Sequence, residues 1–304
     1  MADPILSIIV VSYNTREMTL ECLRSVYAET RTPFELIVVD NDSPDGSAEA
    51  IGREFPDAML IAEKINHGFA RANNIAAKHA RGEFILLLNP DTVVLDGALD
   101  RLLAFARARP EARIWGGRTV FGDRSLNPGS CWRRITLWNL FCRAIGAAAL
   151  FPRSAVLNSE GYGGWDRMSE RQVDIVTGCL FLLSRADWEA LDGFDPIFFM
   201  YGEEADLCMR AAEKLGARPA VTPDAVIVHY HGQSSNVRAD KIVRLLQAKR
   251  EIVRRHFPTW QQPLAAALLA LWPWTRSVAY RLIGRESAWV DVWRRRGEWK
   301  NGFS

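Results

Sequence analysis

The stretch FILLLNPDTVVL, Phe84 to Leu95, sets an apolar run, Ile85 to Leu88, directly ahead of Asn89, Pro90 and Asp91. A run of this length closed by Asn-Pro-Asp reads as a covered strand meeting a breaker. Pro90 has no N–H to give a sheet ladder and biases Asn89 toward extended geometry. Two readings of the polar cluster stand at this point. It is an ordinary turn, or it lies at the carboxyl end of a parallel strand, where open α/β sheets place ligand chemistry, and Asp91 is then positioned to hold a metal.

Working outward, the first half alternates strands and helices: strand Ile5 to Tyr13, helix Arg16 to Glu29, strand Glu35 to Val39, helix Ser47 to Phe55, strand Ala58 to Ala62, helix Ala70 to Ala80, strand Glu83 to Leu88 and helix Gly97 to Arg109. That order predicts an α/β fold with a doubly wound, mostly parallel sheet and flanking helices. Each strand ends in polar residues, in SYNT, DNDSPDGS, NHGFARANN and NPDT. Four such loops on one sheet edge make a site, although turns are polar in any case. Beyond Ile114 come a hairpin-like GGRTVFGDRSLNPGS, an irregular aromatic and basic segment from Cys131 to Met168, a strong strand in VDIVTGCLFLLSR, and a helix from Glu203 to Leu215 with acids in its first turn. A further strand ends in His229 and His231.

The chain has 304 residues, 48% of them hydrophobic, enough for one large domain or a domain with an appendage. Its formal charge of +2 conceals a split. From Asn236 onward there are 14 Lys or Arg against 5 Asp or Glu, and before it 24 against 31. The five cysteines show no CxxC pairing or zinc-like spacing and read as reduced, cytosolic thiols. The N-terminal MADPILSIIVVSYN has an acidic, Pro-containing flank and a short β-branched run, so it reads as a first strand rather than a signal peptide. No segment reaches the ~20 apolar residues that span a bilayer. A cytoplasmic protein is expected, peripheral at most on the inner face of the membrane.

The P-loop pattern GxxxxGK[ST] and a GxGxxG after the first strand are both missing, which removes the two commonest nucleotide cradles. Magnesium and manganese take carboxylate oxygens, and manganese accepts imidazole, so Asp91 with His229 is a plausible pair. A strand-end histidine satisfied by a backbone carbonyl is the competing reading. Asp40 can accept hydrogen bonds from a base or ribose, and Asn14 and Asn41 offer amides; turn capping competes here too.

SIIVVSYNTREMTLECLRSV, LIVVDNDSPDGS, NHGFARANNIAAKHARGEFILLLNPDT, VTGCLFLLSRADWEALDGFDPIFFMYGEEADLCMRAAEKLG and VIVHYHGQSS together resemble glycosyltransferase family 2, particularly its bacterial rhamnosyltransferase-like members. The likeness runs from about Ser7 to Ser235 and leaves Arg238 to Ser304 uncovered. It implies a GT-A fold over residues 1–236, with a nucleotide-sugar half to about 115 and an acceptor half from about 116. It also implies an inverting transfer of a sugar, in this subgroup rhamnose from dTDP-rhamnose, to a lipid-linked or cell-surface glycan acceptor. Carried over by position, Asn14, Asp40, Asn66, Gly68 and Asn73 surround the donor nucleotide, with Asn41 and Asn89 on the same nucleotide-sugar side, and Asp91 fills the metal-binding DxD slot with Mg or Mn as the cation. His229 is the late metal-side histidine, and Glu204 is the catalytic base. Glu203, Asp206 and Gly178 are acceptor-side candidates. Asn89 replaces the first Asp of DxD, removing one carboxylate, and Glu204 replaces the more frequent Asp of an ED pair. A sugar nucleotidyltransferase would offer a Gly-rich, basic phosphate loop after the first strand, which is missing. A non-catalytic nucleotide-sugar binder is the reading favoured if Asn89 and Glu204 are disabling.

The stretch 237–304 reads as a helical, basic, Trp-rich tail. Trp272, Trp274, Trp289, Trp293 and Trp299 alternate with Arg276, Arg281, Arg285 and Arg294 to Arg296, a composition suited to an anionic membrane surface, with Trp132, Arg133, Arg134 and Trp138 joining it. Packing of an amphipathic helix on the catalytic domain is the alternative. The acidic body and the lack of an RNA-binding motif argue against nucleic acid.

Overall fold

A computed structural model describes residues 3–230 and 238–303. His231 and the end of the VIVHYHGQSS motif lie outside the described residues, as does the boundary near 236. The described chain divides into two compact units. The first comprises Met1–Trp132, Asp166–Phe199 and Glu203–Ser234; the second comprises Arg133–Trp165, Met200–Gly202 and Ser235–Ser304.

Unit one is an α/β layer structure. Its strands are β1 (Leu6–Ser12), β2 (Phe34–Asn41), β3 (Met59–Glu63), β4 (Phe84–Leu88), β5 (Thr92–Val94), β6 (Ile114–Val120), β7 (Leu126–Asn127), β8 (Cys131–Trp132), β9 (Arg171–Gln172), β10 (Ile175–Val176), β11 (Leu180–Ser184) and β12 (Ala220–His229). The main sheet runs β3-β2-β1-β4-β11-β6-β12-β5, with β8 and β10 paired separately. β3, β2, β1 and β4 are parallel. β11 is antiparallel to both β4 and β6, β12 is parallel to β6, and β5 is antiparallel to β12. The expected doubly wound half is present, and the other half makes the sheet mixed.

Helices α1 (Arg16–Glu29), α2 (Ser47–Glu54), α3 (Gly68–Ala77) and α4 (Ala98–Ala108) follow β1, β2, β3 and β5. Strand β1 is buried along its whole length, and so is β4. Both carry continuous apolar runs because a parallel strand covered on two faces has no solvent side to alternate toward. Leu20, Leu23 and Val26 of α1 pack with Leu99, Leu102 and Phe105 of α4 in one core beside Ile8, Val10, Leu86 and Leu88.

Unit two is helical. It contains α5 (Leu137–Ala144) and α6 (Ala147–Leu150); unit one adds α7 (Arg185–Ala190) and α8 (Glu203–Leu215); unit two continues with α9 (Arg238–His256), α10 (Gln262–Leu282), α11 (Ala288–Arg294) and α12 (Arg296–Trp299). The segment that the sequence left irregular thus contributes two helices to this unit, the first closed by a capping box between Thr136 and Asn139. At its centre Glu160 is buried between Lys249 Nζ at 2.6 Å and Arg143 Nε at 2.5 Å. These two cations hold its carboxyl down at about 2 despite complete burial.

The tail tryptophans do not form one outward stripe. Trp272 and Trp299 are buried, Trp272 packs against Trp289 with ring centres 5.4 Å apart, and Trp293 packs against Trp299 at 6.4 Å. The physical reason is that an indole gains most from burial when its ring N–H keeps a partner, as Trp299 Nε1 does by donating to Val292 O at 2.9 Å. No helix among the described residues is long and apolar enough to cross a membrane.

Candidate active site

Register fixes which chain ends meet. Ser12 lies opposite Asp40, Asp40 opposite Ala62, and Val10 opposite Leu88, so the loops after β1 to β4 leave one carboxyl edge. Leu180 of the antiparallel β11 faces Leu88, which brings Gly178 and Cys179 to the same edge. β12 ends there as well, with His229 opposite Thr92.

The loops after β1, β2 and β3 form the first cluster. Asp40 is buried, and its Oδ1 accepts from the Ser43 N–H at 3.1 Å. Its Oδ2 is buried with no partner among the described residues. Burial raises this carboxyl above its ordinary value, opposed by the Ser43 hydrogen bonds. A buried acceptor left unmatched is costly, and a ligand N–H or hydroxyl would satisfy it. Asn41 is buried too; its Nδ2 donates to Asn66 Oδ1 at 3.0 Å and Gly68 O at 3.3 Å, and its Oδ1 accepts from the His67 N–H at 2.9 Å. Asn66 Oδ1 also takes the Gly68 N–H at 2.9 Å. These amides shape the loop through one another. Asn73 is buried inside α3, donating to Phe69 O at 2.9 Å. Asn14 is exposed in a left-handed conformation, φ 53°, with its N–H on Ser43 Oγ at 2.9 Å.

Gly68 has φ +75°, and a Cβ there would sit 2.2 Å from Phe199 O. The next residue, Phe69, donates its N–H to that same carbonyl at 2.7 Å. Only glycine permits both the conformation and the approach. The close contact ties the loop after β3 to the segment that leads into α8.

The second cluster joins the ends of β4 and β12. His229 Nε2 lies 3.3 Å from Asp91 Oδ1 and 3.5 Å from Asn89 Nδ2. The backbone is fixed around them: Thr92 Oγ1 donates to Asn89 O at 2.7 Å, Tyr230 N–H to Asp91 O at 3.0 Å, and Asn127 Nδ2 to His229 O at 3.3 Å. Burial works against a charged imidazole, but the Cys179 sulfur and the Asp91 carboxylate outweigh it and raise His229 to about 10. No group of three His, Cys, Asp or Glu side chains suited to a metal occurs among the described residues. The donor set nonetheless fits a hard cation that takes its remaining oxygens from a diphosphate and water, with Asp91 and, once the cation displaces its proton, His229 as protein ligands and the Asn89 amide beside them.

The third cluster is the start of α8, preceded by left-handed Tyr201 and Gly202. Glu203 and Asp206 are buried. Asp206 Oδ2 accepts from Arg210 Nε at 2.7 Å, and the same guanidinium donates to Leu191 O and Gly193 O at 2.5 and 2.8 Å. Asp206 therefore anchors the loop before α8. Glu204 is the half-buried one of the three, with its Oε2 atom buried. A Cβ on Gly178 would lie 3.1 Å from the Phe69 ring, so this glycine faces α3.

Sequence reasoning passed over Arg210, Asn74 and Cys179. Asn74 clamps the loop after α7 from the α3 side, donating to Phe194 O at 2.7 Å and accepting from its N–H at 3.0 Å. The i,i+4 spacing of Asp206 and Arg210 was a readable signal. Asn74 and Cys179 meet partners distant in sequence and had none.

Residues 7–164 match the family model described as Glycosyl transferase family 2. Among curated proteins, the chain is 24% identical to the N-acetylglucosaminyl-diphospho-decaprenol L-rhamnosyltransferase of Mycobacterium tuberculosis (strain ATCC 25618 / H37Rv), over 86% of this chain and 88% of that protein. It is 28% identical to the O-antigen biosynthesis protein RfbC of Myxococcus xanthus over 79% of its own length, which spans only 18% of that relative. Among solved structures it is similar to a mannosyltransferase from Pyrobaculum calidifontis in complex with GDP-Man and Mn2+, with a TM-score of 0.58 and 22% identity over 98% of this chain and 81% of the other. S. aureus TarS 1-349 in complex with UDP matches with a TM-score of 0.52 and 18% identity, covering 88% of this chain and 70% of that one. The fold is thus that of GT-A glycosyltransferases.

Proposed function

The chain belongs to glycosyltransferase family 2, and from that premise we propose that it is an inverting rhamnosyltransferase, moving rhamnose from dTDP-rhamnose to a lipid-linked glycan intermediate. Transfer of a sugar from a nucleotide sugar is the activity of the family. The finer reading is carried by one observation, the L-rhamnosyltransferase of M. tuberculosis that is similar across 88% of its length and whose name specifies a diphospho-decaprenol acceptor.

The residues supply the parts such a reaction needs. Asp40, with a buried oxygen lacking a partner among the described residues, is the acceptor for a base N–H or a ribose hydroxyl. Asn14, Asn66 and Gly68 line the same carboxyl edge, where Asn41 fixes the loop after β3 through Asn66, His67 and Gly68, and Asn73 holds the first turn of α3. Asp91 and His229, with Asn89 beside them, would hold a Mg or Mn ion that offsets charge on the departing diphosphate. An inverting displacement needs one base on the acceptor side and no covalent nucleophile. Glu204, half-buried at the start of α8, takes the acceptor hydroxyl proton, while Glu203 and Asp206 are buried and Asp206 is committed to Arg210.

The test is a donor panel. Purified protein is incubated with dTDP-rhamnose, UDP-glucose, UDP-GlcNAc and GDP-mannose and a polyprenyl-diphosphate GlcNAc acceptor, and the anomeric configuration of the product is read by NMR. Transfer from dTDP-rhamnose with inversion is expected. Preferred transfer from another donor, or retention, overturns the reading, and nucleotide binding without turnover on any donor favours the non-catalytic binder.

A further inference from the structure

The longest helix of unit two carries apolar residues on both of its faces. On α10, Ala265, Leu268, Leu269, Trp272 and Ser277 are buried, and the helix packs on α5, α9 and α11. The opposite face carries Leu264, Ala267, Leu271, Trp274, Val278 and Leu282, spaced three or four residues apart. Leu264 is 53% exposed, Trp274 44% and Leu282 82%. A helix that only closes a water-soluble core carries charged residues on its outer face. Here that face is apolar over some five turns. Neighbouring α5 repeats the feature, with Trp138, Phe141 and Ile145 exposed at i, i+3 and i+7.

The charge around this face has one sign. No Asp or Glu occurs between Glu251 and Glu286, an interval that holds Arg254, Arg255, Arg276, Arg281 and Arg285. Arg254 and Arg255 bond Glu251, but among the described residues no carboxylate lies within ion-pair distance of Arg276, Arg281 or Arg285. The whole of unit two carries 18 Lys or Arg against 6 Asp or Glu, leaving 20 against 30 in unit one. An exposed apolar helix face with arginines lacking carboxylate partners at one end fits a surface that is apolar below and anionic above.

We propose that the outer face of α10, with Leu264, Trp274 and Leu282 as its apolar contacts and Arg281 and Arg285 as its anionic ones, docks this protein on an anionic lipid bilayer, the helix lying in the plane of the interface. This narrows the Trp-Arg alternation read in the sequence to one helix face, since several of those tryptophans pack inward. The inference goes beyond the proposed transfer and does not depend on which sugar moves. Binding strength is the sum of apolar area buried and cation attraction to headgroups, so the two parts are separable by substitution.

The experiment is co-sedimentation of the full chain with vesicles of equal parts phosphatidylglycerol and phosphatidylcholine, and with phosphatidylcholine alone. Wild type should sediment with the anionic vesicles, and less so in high salt, because exposed charges are screened over roughly 10 Å at 0.1 M. The triple variant Leu264→Ser, Trp274→Ser, Leu282→Ser alters only exposed positions and should bind at least roughly tenfold more weakly, given the apolar area removed. Arg281→Glu with Arg285→Glu should remove the preference for anionic vesicles. Helical circular dichroism and a cooperative thermal transition on the same samples show that unit two of the variants is folded, and nucleotide binding at unit one reports separately on the transferase reading. Failure of wild type to bind anionic vesicles, or undiminished binding by the triple variant, overturns the proposal. A wild-type dimer in sedimentation equilibrium that the triple variant converts to monomer also overturns it, assigning the face to a second copy of the chain.

Discussion

Replacing Gly68 with Ala should damage folding and turnover together, and the structure sets the scale. The backbone there has φ +75°, where an L side chain costs about 1 kcal/mol relative to glycine. The new Cβ would also fall 2.2 Å from Phe199 O, a backbone atom that can move only by breaking the 2.7 Å bond from Phe69 N–H. A lost hydrogen bond of this kind contributes about 1 kcal/mol net. The sum is a loss of about 2 kcal/mol, read as a lower urea midpoint at unchanged slope. Phe199 lies shortly before Glu204, so its displacement also moves the proposed base. A misplacement of about 1 Å at reacting groups costs roughly 100-fold in rate. The assays are urea unfolding followed by tryptophan fluorescence, and turnover with saturating donor. Wild-type midpoint and turnover in Gly68→Ala would refute the reasoning that this contact positions the segment before α8.

Glu160→Gln should destabilise unit two by about 3 kcal/mol, the equivalent of holding a carboxyl near 2 instead of its ordinary 4.5. Because the folded value is depressed, that stability is fully present above about pH 4.5 and disappears as pH falls toward about 2; acid titration by circular dichroism should show this loss in wild type and not in the variant. Asp91→Asn should abolish the gain in nucleoside-diphosphate affinity that Mn or Mg gives wild type in calorimetry, while affinity in excess chelator stays similar; equal wild-type transfer in chelator removes the cation from the account. Arg210→Lys should retain the charge on Asp206 but lose the bonds to Leu191 O and Gly193 O, lowering kcat with little change in donor affinity. Equal falls in both, tracking lost stability, would mark Arg210 as structural only.

Much of unit one was legible because its signals are local. Helices Arg16–Glu29 and Glu203–Leu215 appear with the bounds read from capping acids and apolar spacing. The polar strand ends meet on one edge because parallel pairing leaves them no alternative. Three-residue β5 escaped notice, being too short to show alternation. The strand read through VDIVTGCLFLLSR breaks into β10 and β11 at Thr177 to Cys179, where Thr177 Oγ1 bonds the backbone of Gly129 and Ser130 instead of a ladder. That Asp40, Asp91 and His229 stand at or just beyond strand ends was readable from the sequence, whereas the contacts made by Asn74 and Cys179 depend on partners far along the chain. Unit two was the least legible, since its buried ion cluster joins Arg143, Glu160 and Lys249 across many residues with no shared period. Its Trp-Arg alternation suits a core and a membrane surface equally well until burial is known.

The most direct measurement is turnover of Glu204→Gln with donor and acceptor both saturating, alongside donor affinity. The amide keeps size and hydrogen-bonding capacity but takes no proton at neutral pH. The account predicts a fall in kcat of roughly 100- to 10,000-fold with donor affinity nearly intact. Wild-type turnover in Glu204→Gln would contradict it.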